Sequence, residues 1–194
     1  MRHILKILLI PCLAASTLFI AAATLADVPA YEMVKSKSFL KFFAIQNGAP
    51  VEGKFEDFTT DIRFDPDHLD QSSITVNVAI GSVVVADPDV LKNIKMPDWL
   101  SADAFPKAIF ICKKLTRMPS SDNYYADGQL TLRGKTAPVV LNFQMVHFDD
   151  KNAVATGSVT LHRKDYDIGQ GEWSRDDVIK DEVRVEFRIA AEKK

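Results

Sequence analysis

Cysteine is nearly missing from this chain: Cys12 and Cys112 are the two in 194 residues. A disulfide scaffold and a thiolate zinc site are thereby excluded. An excess of basic charge is missing too. With 24 Lys and Arg against 26 Asp and Glu, no positive field exists to hold nucleic acid or an anionic membrane by counterion release. Repeats, like-charge blocks and low-complexity tracts are absent, which removes solenoid, coiled-coil and disordered classes. Past the leader, His68, His147 and His162 lie too far apart for a zinc helix or knuckle. No serine sits in a nucleophile elbow. Gly169-Gln170-Gly171 does not open a helix after a strand, and no Walker-type lysine follows it.

The one long apolar run stands at the N-terminus. Arg2 and Lys6 precede Ile7 to Ala23, and Thr24 and Ala26 supply the small residues a signal peptidase requires before Asp27. This layout predicts a cleaved signal peptide over 1–26, a single mature domain over 27–194, and a periplasmic or secreted protein without stable membrane insertion after cleavage. About 20 apolar residues also suffice for an uncleaved anchor, but Pro11 and the alanine-rich end favour cleavage. Pro11 also stands where a lipobox needs a small residue, so Cys12 is not read as a lipidation site. Cleavage leaves Cys112 as the lone thiol. Stability then rests on packing, and a domain of this size buries about 70% of its unfolded surface.

What is present beyond the leader is period two. Ile74, Val76, Val78 and Ile80 alternate with small or polar residues. So do Val139, Leu141, Phe143 and Met145, and Val183, Val185, Phe187 and Ile189. Shorter strands are predicted over 36–45, 51–58, 60–64, 107–115, 124–133 and 153–161. Turn chemistry separates them: Asn47-Gly48, Asp65-Pro66, Pro119 to Asp122, Gly134-Lys135 and Asp149-Asp150. Gly128 is read as a bulge or a close approach, because a turn at Asp127-Gly128 would split its strand. Helix is predicted only over 88–101, capped by Asp87 and started by Pro88, with Pro97 dividing it into two short pieces. The fold class is therefore all-β and antiparallel with a short helical insertion. Alternation alone does not separate a two-sheet sandwich from a closed barrel. Apolar residues on both faces of some strands, among them Phe39, Leu40, Phe42 and Phe43, exceed what one core layer needs, and a surplus of this kind suits a cavity.

The acidic clusters carry little chemistry. Asp65, Asp67, His68 and Asp70 read as a solvated turn. Asp165, Asp167 and Gly169 lack the third carboxylate and the bidentate Glu of a calcium loop. Cys112, beside Phe110 on an alternating strand, reads as an inert packed thiol.

The order of motifs is more specific than any one of them. Val51-Glu-Gly-Lys-Phe-Glu-Asp-Phe58 comes first, then Phe64-Asp-Pro66, Phe105-Pro-Lys-Ala-Ile-Phe110 and Gly128-Gln-Leu-Thr-Leu-Arg-Gly134. Leu161-His-Arg-Lys-Asp-Tyr-Asp-Ile-Gly-Gln-Gly-Glu-Trp173 and a Val-rich strand close the series. Together they resemble the YceI-like family of secreted proteins. The resemblance implies a lipocalin-like antiparallel β-barrel that binds a polyisoprenoid or similar long amphiphile without catalysis. No cofactor is then expected beyond a bound polyisoprenoid or quinone-type lipid. On that reading Ile74, Val76, Val78, Leu130, Leu132, Val139, Leu141 and Phe143 face inward with Phe42 and Phe110, and Leu91, Ile94, Trp99 and Phe105 cover the mouth. Arg163 and Trp173, with Asp165, stand where a head group emerges, unless Arg163 and Asp165 form an ion pair at the rim. The alternatives are a secreted hydrolase or isomerase acting on an apolar substrate, and an interaction module whose barrel is filled by its own side chains.

Overall fold

The computed structural model describes residues 28–194; the predicted leader lies outside them. Alternating apolar residues become strands wherever one face can be buried. In chain order these are β1 (Ala30–Met33), β2 (Phe39–Gln46), β3 (Ala49–Phe55), β4 (Phe58–Arg63), β5 (Ser73–Ala79), β6 (Val83–Val85), β7 (Lys107–Arg117), β8 (Asn123–Leu132), β9 (Lys135–Phe148), β10 (Asn152–His162) and β11 (Glu182–Lys193). All the strand pairs are antiparallel. The order β1-β4-β5-β7-β8-β9-β10-β11 returns to β1, because Tyr31 pairs with Lys193 and Met33 with Ala191. This closure makes an eight-stranded barrel and rejects the sandwich. β2, β3 and β6 continue the sheet as a flap from the stretch of β11 that β1 leaves unpaired.

Local chemistry explains the turns. Asn47 (φ 49°) with Gly48 (φ 78°), and Arg133 (φ 48°) with Gly134 (φ 71°), hold the left-handed pairs that tight hairpins need. Gly128 is a close approach, as expected: a Cβ there would lie 2.5 Å from the Ile111 carbonyl oxygen and 2.6 Å from the Phe110 ring. The irregular step itself falls on β7, between Cys112 and Lys114.

The helical insertion is shorter than predicted. Helix α1 runs Pro88–Ile94, and one carboxylate oxygen of Asp87 accepts from the amides of Asp89 (2.9 Å) and Val90 (3.1 Å). Residues 95–100 form turns and a bend in place of the second piece. Met96 precedes Pro97, which disfavours the helical region there, and Ser101 turns to φ 49°.

The two barrel ends differ. At the end near β1, Phe64 meets Tyr124 edge-on at 5.6 Å and Tyr124 stacks on Phe143 at 5.3 Å. This aromatic layer forms a floor. At the opposite end, α1 and the segments 95–106 and 163–181 fold over the strand termini. Their buried residues Leu100, Tyr166 and Ile168 pack with Ile80 and Ala108.

Candidate functional site

Period two places every second side chain of each barrel strand inside, and the inward set does not fill the space it encloses. An apolar cavity of about 290 Å³ runs from Tyr31 and Phe64 at the floor to Trp99 and Tyr166 beneath the cover. That volume lies near the lower bound of roughly 300–1,000 Å³ for ligand sites. β5 contributes Ile74, Val76 and Val78, β7 Phe110, β8 Leu130 and Leu132, β9 Val139, Leu141 and Phe143, and the flap Phe42. Ile94, Trp99 and Arg163 line it from the cover. Register brings them into rows: Thr60 lies opposite Val76, Val76 opposite Phe110, and Phe110 opposite Leu130.

Three residues predicted at the site lie outside this lining. Leu91 is one turn before Ile94 on α1 and packs instead on the cluster of Phe42, Val83 and Val85. Phe105 lies under the β8–β9 turn, where a Cβ on Gly134 would be 2.7 Å from its ring. Trp173 packs its ring against Trp99, with centroids 5.7 Å apart. It backs a lining residue and does not line the cavity itself.

Arg163 corrects both expectations made for it. It is 3% exposed, neither paired with Asp165 nor free for a head group. Its Nη1 donates to the carbonyl oxygens of Ile168 (2.8 Å) and Gly169 (3.2 Å), Nη2 to that of Ile179 (2.9 Å) and Nε to that of Lys180 (3.2 Å). Asp176 stands 3.7 Å away as its carboxylate partner. The guanidinium therefore fixes the covering loop.

Thr60 and Tyr166 line the cavity without having been singled out in the sequence. Thr60 was legible in the alternation of Phe58, Thr60 and Ile62. Tyr166 sits in a 3-10 turn after β10, where no periodicity marks it. Burial pushes its hydroxyl up to about 12, with Asp165 adding to the effect. Thr60 Oγ1 and Trp99 Nε1 are buried without a hydrogen-bond partner among the described residues. Each such atom costs about 1–3 kcal/mol of desolvation.

The remaining reactive groups stay away from the cavity. His68, His147 and His162 each sit 2.9 Å from an aspartate of a turn: Asp65, Asp149 and Asp181. Cys112 is half-buried, its thiol pointed at the Lys114 carbonyl at 3.4 Å, and burial pushes its pKa up. Among the described residues no three His, Cys, Asp or Glu converge as metal ligands.

Known proteins share this architecture. A sequence model of the YceI-like domain matches residues 31–191. A UPF0312 protein of Vibrio cholerae is 28% identical over 125 residues, 61% of this chain and 65% of that protein, so the chain spans less than two thirds of that relative's length. A UPF0312 protein of Pectobacterium atrosepticum is 25% identical over 84% of this chain and 88% of its own length. Among solved structures, BcnA of Burkholderia cenocepacia superposes with TM-score 0.77 at 24% identity, covering 82% of this chain and 99% of BcnA. A polyisoprenoid binding domain from Saccharophagus degradans, implicated in plant cell wall breakdown, gives 0.66 at 15% identity over 86% and 99% of the two chains. At these identities the superpositions establish a shared fold.

Proposed function

Since this chain belongs to the YceI-like family, we propose that it binds and carries a polyisoprenoid or similar long-chain amphiphile, quinone-type lipids included, inside its barrel. The observation that carries this reading is the apolar cavity running from the aromatic floor to the covering loops. Each methylene buried there contributes roughly 0.8 kcal/mol, so a long chain binds tightly without polar contacts. The Saccharophagus domain, named for polyisoprenoid binding, shares the fold and lends support. The charged, then apolar, then small-residue start of the sequence supports export, with the carrier acting in the periplasm or outside the cell.

A carrier is favoured over a hydrolase or isomerase by what lines the cavity. The polar lining side chains are Thr60, Trp99, Arg163 and the two tyrosines Tyr31 and Tyr166. No histidine, carboxylate or thiol stands among them to act as base or nucleophile. The lipid is the one bound molecule in this reading, with no cofactor.

The test uses Val76→Phe and Leu141→Trp, which add bulk at mid-strand positions lining the cavity. Bound lipid, measured by organic extraction and mass spectrometry, should fall sharply while the melting temperature stays near that of the wild type. If the interior were a filled core, the added bulk would cost about 1–3 kcal/mol in strain. A lowered melting temperature with no lipid recovered from wild type or variant would defeat the carrier reading.

A further inference from the structure

Strands β9 and β10 do not stay paired along their length. Their register ends at Asn142 opposite Ser158, although β9 begins at Lys135 and β10 continues to His162. The outer edges remain held: β9 pairs with β8 down to Lys135, and β10 with β11 up to His162. Only the edges that face each other lack ladder partners among the described residues. Above the gap, Lys135 Nζ meets the Asp167 carboxylate at 2.9 Å. The result is a window in the barrel wall, closed below by the last paired residues and above by an ion pair.

A cleft of about 390 Å³ occupies this window. Val139, Val159, Leu161 and Tyr166 line both the cleft and the central cavity, so a single layer of side chains separates them. Toward solvent the cleft presents Asn142, Thr160, His162 and Asp165. One layer of side chains thus stands between an apolar chamber and a polar cleft on the side of the barrel.

The charges around the window limit what it can receive. Lys135 is matched by Asp167 and Lys164 by Asp176 at 2.7 Å, and His162 Nδ1 sits 2.9 Å from the Asp181 carboxylate. The donors of Arg163 are engaged by four carbonyls. Asp165 adds an exposed carboxylate inside the cleft. No Lys or Arg lines the cleft to offset a phosphate, and Arg184, opposite Thr160 on β11, is engaged by Glu186 at 2.7 Å, whereas the amide, hydroxyl and imidazole groups suit hydroxyl or carbonyl oxygens.

We propose that the window between β9 and β10 is where the polar head of the barrel's cargo reaches solvent, and that it takes an uncharged, oxygen-bearing head group in preference to a phosphate. Arg163 and the covering loops then hold the near end of the chamber shut, so that the head emerges sideways beneath them while the tail runs toward the aromatic floor. Tyr166, buried between the two, offers its hydroxyl at the boundary as a hydrogen-bond donor. This inference rests on the carrier reading.

The test compares three probes by isothermal titration calorimetry on the full chain: ubiquinone-2, geranyl diphosphate with the same length of tail, and squalene, which has no head. Wild type should bind ubiquinone-2 at least about tenfold more tightly than the diphosphate. Thr160→Trp, at an exposed position that obstructs the window, should weaken ubiquinone-2 about tenfold and squalene by less than about twofold. Asp165→Lys, also exposed, should shift the preference toward the diphosphate by about tenfold. If both variants bind all three probes as wild type does, the window is not the head-group site and the inference is overturned. If wild type binds squalene but neither headed probe differs from it, the window has no role in selectivity. Wild type that takes up none of the three overturns the carrier reading itself.

Discussion

A single buried arginine organises the cover of the cavity. Arg163 offers a planar fork of five donors, and the chain from Ile168 to Lys180 curls so that four of its carbonyls accept from that fork. Arg163→Met keeps the apolar stem and leaves those oxygens without donors. We expect a loss of about 3 kcal/mol in urea unfolding and faster proteolysis within 163–181. Arg163→Lys should recover little, since one ammonium cannot replace the fork. An unchanged urea midpoint for Arg163→Met would show that the loop holds itself. The sequence shows an arginine in a polar segment. That it is buried depends on acceptors up to seventeen residues away, which no local pattern reveals.

Among the elements, the β9–β10 hairpin carries a titratable turn. The Asp149 carboxylate accepts from the amides of Lys151 (2.8 Å) and Asn152 (2.6 Å) and meets His147 Nε2 at 2.9 Å. These bonds favour the ionised form and hold its pKa at about 2, against an ordinary 3.8. The folded value lies below the unfolded one, so the stabilisation is complete above the ordinary range and is lost as pH falls toward the folded value. A carboxyl NMR titration of Asp149 should therefore give a midpoint near 2, with the Lys151 and Asn152 amides losing protection in the same step. A midpoint in the ordinary carboxylate range would mean the turn is open in solution. Other elements were unequally legible. The strands β5, β9 and β11 announce themselves by alternation, because every second side chain faces the interior. β6 is three valines, with no period to read, and β1 has four residues. The stretch after Ile94 keeps helical spacing in its sequence, but Pro97 and the tie from Arg133 Nη2 to the Pro97 carbonyl (2.6 Å) hold it as a turn. Inward residues of the cavity were readable strand by strand. The window was not, because it arises from where two strands part.

At the scale of the whole molecule, the choice between sandwich and barrel turns on β1 meeting β11, the first strand against the last. Periodicity is blind to a pairing between the two ends of the chain. Export, proposed from the leader, has its own test: N-terminal sequencing of the native protein should begin at Asp27. Intact Met1 recovered in the membrane fraction would argue for an anchor instead.

The position of β11 also sets a clock. It pairs with β10 on one side and with both β1 and β2 on the other, so until residues 182–193 have been made, the ladder keeps two open rims and the floor and cover face no sealed interior. Topologies that rest on such distant pairings fold in about milliseconds to seconds. A nascent chain of this design cannot close its barrel before those residues are made. For a protein we propose is exported, this order is useful, because the closed barrel, too wide to pass as a single chain, forms only once β11 is present.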